Sequence, residues 1–275
     1  MIQDVEIKDL RIIIGTVKEN YNYDFGDYAI SSFKRRILRI IEVFKFNTVE
    51  ELVAKIKSDK VFAEEFVKEI TVNTTEMFRD PTFWRKLRDD VFPVLNANPN
   101  IRIWHAACSS GEEVYSMAIA LKEAGLYHKA IITASDINED VIKVAKTGLY
   151  PSRNMDLNQS NYERFGGKTL LSNYFKEVKD GNVQMDPTLI SNVTFKKFDL
   201  VTGPIFSKFD IILCRNVMIY FNLELQDRVV AKFSESLFKN AFLVVGAKET
   251  IAWCKSAKAY ATYSIEEKIY KKIAE

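Results

Sequence analysis

Over the first seventy residues, apolar positions recur at three- and four-residue steps. Val5, Leu10, Ile13, Ile14 and Val17 form one stripe, and Phe33, Ile37, Ile40, Ile41 and Phe44 form a second. That spacing turns one face of a helix toward a core. Thr48 and Glu51 have capping-box spacing ahead of Leu52, Val53 and Ile56, and Phe62, Phe66 and Val67 mark a further short helix. Three or four short helices without strands predict an N-terminal helical domain over 1–70. A polar stretch, ITVNTTEMFRD (70–80), then breaks the pattern. Asp80 followed by Pro81 reads as the N-cap and first position of a helix through Phe83, Trp84, Leu87 and Val91.

Beyond Pro93 and Pro99, short apolar runs alternate with amphipathic ones. Strands are predicted at 101–106, 130–135, 193–198, 209–214 and 241–245, with helices at 112–123, 138–146 and 223–238. That alternation predicts an α/β fold, a doubly wound parallel sheet, over 81–275. The segment 151–192 is too long for a plain loop. Its scattered Tyr162, Phe165, Leu170, Tyr174, Phe175, Val178 and Val183, with Gly166, Gly167 and Gly181, predict an inserted β-subdomain.

Composition narrows the function classes. The 275 residues are 47% hydrophobic and include 19 Phe, 12 Tyr and 3 Trp, enough core material to exclude disorder as the main state. Lys and Arg number 39 against 37 Asp and Glu, a net charge of +2, which disfavours a whole-surface nucleic-acid binder. Cys108, Cys214 and Cys254 form no CxxC pair and there are two histidines, so no metal site is expected. An odd number of thiols behind a start that lacks secretion-signal order predicts a reducing, cytoplasmic setting. No apolar run approaches the roughly 20 residues of a membrane span, so no direct membrane insertion is expected.

The candidate chemistry gathers where predicted strands end. In WHAACSSGEE (104–113), Ala106, Ala107, Ser109, Ser110 and Gly111 let a ligand approach the backbone. A dinucleotide fingerprint would place three glycines there. This turn has one, and Glu112 and Glu113 at the start of the next helix repel a phosphate. Asp136 ends the second strand, where an acid can accept hydrogen bonds from both ribose hydroxyls or cap the next helix, although Asn138 is the better placed cap. The run FDIILCRN is apolar up to Arg215 and Asn216, which therefore emerge at the crevice beyond the strand tips, and Tyr220 can return over it. A phosphate-free nucleoside carrying a cation suits this set. S-adenosylmethionine, a sulfonium, is such a ligand, and the residues alone lead as far as a methyltransferase-like sheet.

Four stretches carry a closer likeness: NTTEMFRDPTFW (73–84), WHAACSSGEEVYSMAIAL (104–121), ASDIN (134–138) and CRNVMIYFN (214–222). They resemble, in order, the motifs of the CheR-type chemotaxis receptor protein-glutamate O-methyltransferases, and VVGAKET (244–250) resembles that family's late strand and turn. The resemblance implies a Rossmann-like S-adenosylmethionine methyltransferase sheet with an inserted β-subdomain, an N-terminal all-α domain, and a linker at 71–80 that contacts the cofactor. It implies that Asn73, Thr75 and Arg79 contact the cofactor, that Glu112 and Asp136 hold its adenosyl part, and that Asp199 and Leu200 meet the adenine. Arg215 and Asn216 would complete the pocket, and the family's proposed catalytic pair falls on Arg79 and Tyr220. Met77 and Phe78 stand where the family often has two phenylalanines, and Val114 where it often has a proline, with apolar bulk kept. Members that grip a receptor's C-terminal tether carry extra glycines in the β-subdomain. NYFKEVKDGNVQM has Gly181 alone, so tether-dependent binding is not expected.

The implied reaction is methylation of glutamate side chains in a chemoreceptor-like protein, leaving S-adenosylhomocysteine. A glutamate with a pKa near ~4.3 is already ionised at neutral pH, so the transfer needs no general base. The implied partner is an acidic helical surface such as a receptor's cytoplasmic region, met by the chain as a monomer, with no nucleic acid involved. Lys34, Arg35, Arg36 and Arg39 form the densest basic patch, which is either a solvated helix face or the docking surface for that partner. The alternative function is a non-catalytic module that binds S-adenosylmethionine or S-adenosylhomocysteine in signalling. Methylation of nucleic acid or small molecules is disfavoured by the near-neutral charge and the lack of an (N/D)PPY-like element.

Overall fold

A computed structural model describes residues 4–71 and 74–274. Four helices open the chain: α1 (Ile7–Tyr21), α2 (Ile30–Phe44), α3 (Val49–Ser58) and α4 (Lys60–Ile70). The two predicted apolar stripes meet in one core with Phe25, Leu52, Ile56 and Phe66. At the start of α3, Thr48 Oγ1 accepts the Glu51 N–H at 3.1 Å, while the Glu51 carboxylate reaches past the cap to the Asn47 N–H at 2.7 Å. Asp59 ends α3 and caps α4, accepting the Phe62 N–H at 3.0 Å, so these helices join without a loop.

The helix predicted after Asp80 is α5 (Pro81–Lys86), continued by a π-turn at Leu87–Val91 into α6 (Phe92–Leu95). Pro93 lies in the first turn of α6. There follow β1 (Ile101–Ala106), α7 (Glu112–Glu123), β2 (Ala130–Asp136), α8 (Glu139–Thr147), β3 (Leu149–Pro151), α9 (Met155–Phe165), β4 (Phe175–Val178) and β5 (Asn182–Met185). The chain continues with β6 (Val193–Lys197), β7 (Phe209–Cys214), α10 (Leu223–Glu235), β8 (Leu237–Val245), β9 (Tyr260–Ser264) and β10 (Ile269–Lys272).

Seven strands form the main sheet in the order β6-β2-β1-β7-β8-β10-β9. The first five pair in parallel, whereas β10 runs antiparallel to β8 and β9 antiparallel to β10. The sheet is thus Rossmann-like with an antiparallel hairpin at one edge, an addition to the parallel sheet predicted. β1 is buried except at Arg102 and lies between β2 and β7: the chain runs from β1 outward through β2 to β6, then crosses back to β7 on the other side of β1. Such a reversal of strand order opens a ligand crevice outside the strand tips.

The insertion contains a three-stranded antiparallel sheet, β3-β5-β4. It also contains α9, which the apolar pattern does not announce, because its buried face mixes Tyr162 and Phe165 with Asn158 and Asn161. Those amides hold the linker. Asn158 Oδ1 accepts the Met77 N–H at 3.0 Å, and Asn161 donates to the Met77 carbonyl at 3.0 Å. The Phe78 ring stacks on Phe165 with centroids 4.9 Å apart, and the Phe78 N–H donates to Ser116 Oγ at 2.8 Å.

The helical domain docks on the loop after β7. Ala29 N–H donates to the Tyr220 carbonyl at 2.8 Å and Asn222 N–H to the Asp27 carbonyl at 2.9 Å. Ion pairs Asp27–Arg228 and Lys68–Asp140, each 2.5 Å, flank the contact. No helix among the described residues is long and apolar enough to cross a membrane.

Candidate active site

A crevice of about 1060 Å³, mouth included, opens at the carboxyl ends of β1, β2 and β7 and is roofed by the linker and by Tyr28 of the helical domain. Thr75, Arg79, Asp136, Asp199, Leu200, Arg215, Asn216 and Tyr220 all line it. Glu112 does not: it is buried beside the turn, where both its oxygens accept from the Ser110 hydroxyl, and Glu113 takes the place at the wall. Asn73 lies outside the described residues.

The backbone around this crevice is strained in a consistent way. Phe78, Asp80, Ala107, Ser109 and Asn216 all have φ between 50° and 63°, a region that costs L-residues energy and is tolerated where the surroundings impose it. At the turn after β1, the imposition is visible. Asp136 accepts the Ser109 N–H at 2.9 Å through one oxygen and the Asn138 N–H at 2.9 Å through the other. Asn138 itself caps α8. Gly111 has φ 93°, and a Cβ there would lie 2.7 Å from the Ala145 Cβ, so close helix packing requires the glycine. The Tyr150 hydroxyl, from β3, donates to the Ser110 carbonyl at 2.7 Å, tying the insertion to the turn.

Behind the wall lies a buried ion network. Arg215, its side chain 2% exposed, bonds Asp80 at 2.6 Å and Glu113 at 3.1 Å and stands 4.2 Å over the Phe83 ring. Glu113 also meets His105 Nδ1 at 2.8 Å. Burial pushes the Glu113 carboxyl up, but the His105 hydrogen bond and the Arg215 charge outweigh it and hold the group below its ordinary value. Asp80 and Pro81 occupy the N-cap and first helical positions as the sequence predicts, but Asp80 makes no side-chain cap hydrogen bond. Its φ of 56° turns the carboxylate away from α5 and onto Arg215.

Sequence reasoning also missed Glu249. Its buried carboxylate accepts the N–H groups of Asn216 at 2.8 Å, Val217 at 2.9 Å and Ile219 at 3.2 Å, and that of Gly246. One side chain from the VVGAKET turn thus shapes the loop that carries Asn216 and Tyr220. Burial pushes the carboxyls of Asp136, Glu112 and Glu249 up, with hydrogen bonds opposing. Burial likewise pushes the Cys108 thiol well up, which leaves it a poor nucleophile.

The crevice fits a phosphate-free cationic nucleoside. Asp136, Asp199 and Glu113 line it, and Arg215 is already paired with acids, so a phosphate would meet carboxylates. Each Asp136 oxygen accepts one backbone N–H and keeps capacity for a ribose hydroxyl. The Ser109 hydroxyl is buried in the same wall without a partner among the described residues. Arg79 donates one hydrogen bond, to the Thr74 carbonyl at 3.3 Å, and among the described residues no carboxylate pairs with it.

The basic patch sits on α2, and none of its four members lines the crevice. Lys34 pairs with Asp4 at 2.5 Å and Arg39 with Glu69 at 3.6 Å, so part of its charge is offset internally. Arg35 is exposed, whereas Arg36 Nε is buried without a partner among the described residues.

Comparison with known proteins places these features in company. Residues 73–268 match the CheR methyltransferase SAM-binding domain and residues 8–71 the CheR methyltransferase all-alpha domain. The chain is 39% identical over 269 residues to Cher3 of Pseudomonas putida, covering 98% of this chain and 97% of that one. It is 36% identical over 254 residues to the chemotaxis protein methyltransferase of Listeria monocytogenes, with 91% and 93% covered. To that of Borreliella burgdorferi it is 31% identical over 257 residues, with 88% of each covered.

Proposed function

The chain belongs to the CheR methyltransferase family of S-adenosylmethionine-dependent enzymes, and on that premise we propose that it esterifies glutamate side chains of a chemoreceptor-like protein in the cytoplasm. The observation that carries this reading is that Arg79 and Tyr220 both face the crevice. Neither spends its side chain on a carboxylate among the described residues. A guanidinium and a phenol left as donors suit an incoming carboxylate.

When bound, the cofactor supplies an electrophilic methyl group whose bond to sulfur breaks as a bond to the acceptor oxygen forms. Asp136 takes the ribose hydroxyls, and Asp199 and Leu200 meet the adenine. Asp199 is held for this by accepting the Val201 N–H at 2.8 Å and the Thr202 hydroxyl at 2.7 Å. Thr75, Asn216 and the described part of the linker enclose the rest. Glu113, kept ionised, faces the cationic part, and Glu112 supports the turn from behind through Ser110. Arg215 holds Glu113 and Asp80 in place. Arg79 and Tyr220 orient the acceptor carboxylate, which is ionised near neutral pH and needs no base. Too strong an Arg79 pairing would blunt the nucleophile, so its task is positioning. The α2 patch receives the acidic helical substrate, with Arg35 and Arg39 its exposed members.

Tyr220→Phe tests the central claim. Transfer of labelled methyl to base-labile esters of a receptor fragment is expected to fall about tenfold or more, as on loss of a transition-state donor, with affinity for S-adenosylhomocysteine unchanged. An unchanged rate rejects the role. Cofactor binding by the wild type without turnover on any receptor fragment favours the non-catalytic module instead.

A further inference from the structure

Tyr28 belongs to the loop between α1 and α2, yet it lines the crevice. Its backbone pairs with Phe221 in an isolated antiparallel bridge, and the flanking bonds Ala29 to Tyr220 and Asn222 to Asp27 fix that pairing. Its ring stands edge-on to Phe221 at 5.3 Å and to Phe25 at 5.0 Å, so its position is set from both domains. The phenol hydroxyl has no hydrogen bond among the described residues. Burial, and the charges of Asp199 and Asp136, push the phenol well up, so it remains a donor at neutral pH. A donor held rigidly on a crevice wall beside the two acids assigned to ribose and adenine lacks only an acceptor, and the adenosyl group offers several.

We propose that Tyr28 is a further cofactor-binding residue, donating its hydroxyl proton to the adenosyl half, so that occupancy of the crevice fastens the helical domain to the sheet. This rests on the reading that the crevice holds S-adenosylmethionine. Tyr28→Phe keeps the ring against Phe25 and Phe221 and removes the donor alone.

Calorimetric titration of the full chain with S-adenosylhomocysteine is expected to show affinity about three- to tenfold weaker in the variant, the worth of one neutral hydrogen bond. The same factor is expected for 5′-methylthioadenosine, which lacks the amino-acid part. Hydrogen exchange over residues 22–30 is expected to slow on adding S-adenosylhomocysteine to the wild type, and less so in Tyr28→Phe. A wild type that binds neither compound overturns the cofactor reading itself. A wild type that binds both, with a variant of equal affinity, overturns the role of Tyr28 alone. A loss seen with S-adenosylhomocysteine but not with 5′-methylthioadenosine moves the contact to the amino-acid half and overturns the placement made here.

Discussion

The helical domain and the crevice both contain left-handed residues, for different reasons. In the first, Asn22 and Lys45 stand at the C-caps of α1 and α2, where a helix ends by turning left-handed. In the second, Ser109 and Asn216 are bent by tertiary bonds to Asp136 and Glu249. The first kind of turn is local punctuation that many sequences could supply. The second stores conformational energy in a wall that a ligand must fit. Charge divides the two regions similarly, since the acids and bases of the helical domain pair near the surface while two crevice acids share one buried cation, Arg215.

The sharpest way to break this contrast is Arg215→Ala. It leaves Asp80 and Glu113 facing each other without their shared cation, at a cost of about 3 kcal/mol, near the low end for a severed buried network because both acids retain some water. Urea unfolding at pH 7 measures it, and a loss below about 1 kcal/mol would mean the network contributes no more than a surface pair. Glu113 titrates below its unfolded value, so its share is present above pH ~4.3 and lost as pH falls through the lower folded value.

Reversing charge on the other region, with Arg35→Glu and Arg39→Glu together, should raise the KM for a receptor fragment about tenfold, roughly 1.4 kcal/mol of steering and contact. Affinity for S-adenosylhomocysteine should stay put. A matched loss of both would remove α2 as the docking surface.

A smaller, paired effect separates the two kinds of left-handed residue. Lys45→Gly and Ser109→Gly should each stabilise the apo protein by up to about 1 kcal/mol, because glycine accepts positive φ, less its entropy cost. Only Ser109→Gly, which also deletes the unpartnered buried hydroxyl, should weaken cofactor binding. Thermal unfolding and calorimetry on the same samples decide it. Equal binding by both variants would make the Ser109 hydroxyl irrelevant to the ligand.

The least effect is expected at the Lys68–Asp140 pair between the regions. Hydrogen bonds from Lys68 and Lys143 hold the Asp140 carboxyl at about 2. Its contribution is therefore complete above the unfolded value near ~3.9 and fades as pH drops toward about 2. Asp140 is nearly half exposed, so solvent screening limits the gain to a few tenths of a kcal/mol. The stability gap between wild type and Asp140→Asn should narrow between about pH 4 and pH 2, and a constant gap would dismiss the pair.

What the sequence disclosed follows from how far each signal reaches. The strand 101–106, the helix 112–123 and the strand 209–214 stand where apolar period predicts them, because a strand buried on both faces writes itself as a continuous run. Arg215 and Asn216 were visible for the same reason, as polar residues ending such a run. α9 was not, since Asn158 and Asn161 occupy its buried face for hydrogen bonds to the linker and erase the apolar stripe. Nor were Glu113, Glu249 and Tyr28 as site residues. Glu113 meets Arg215 across 102 positions and Glu249 meets Asn216 across 33, distances at which periodicity is silent.

The clasp between residues 27–29 and 220–222 has a bearing on biosynthesis. Asp27 and Arg228, which flank it, lie 201 positions apart, so at roughly 5–20 residues per second the four-helix unit waits about 10–40 s on the ribosome before its counterpart emerges. Through that interval the aromatic edge of Tyr28 and its neighbours is bare, and a nascent chain in that state offers chaperones a recognisable handle.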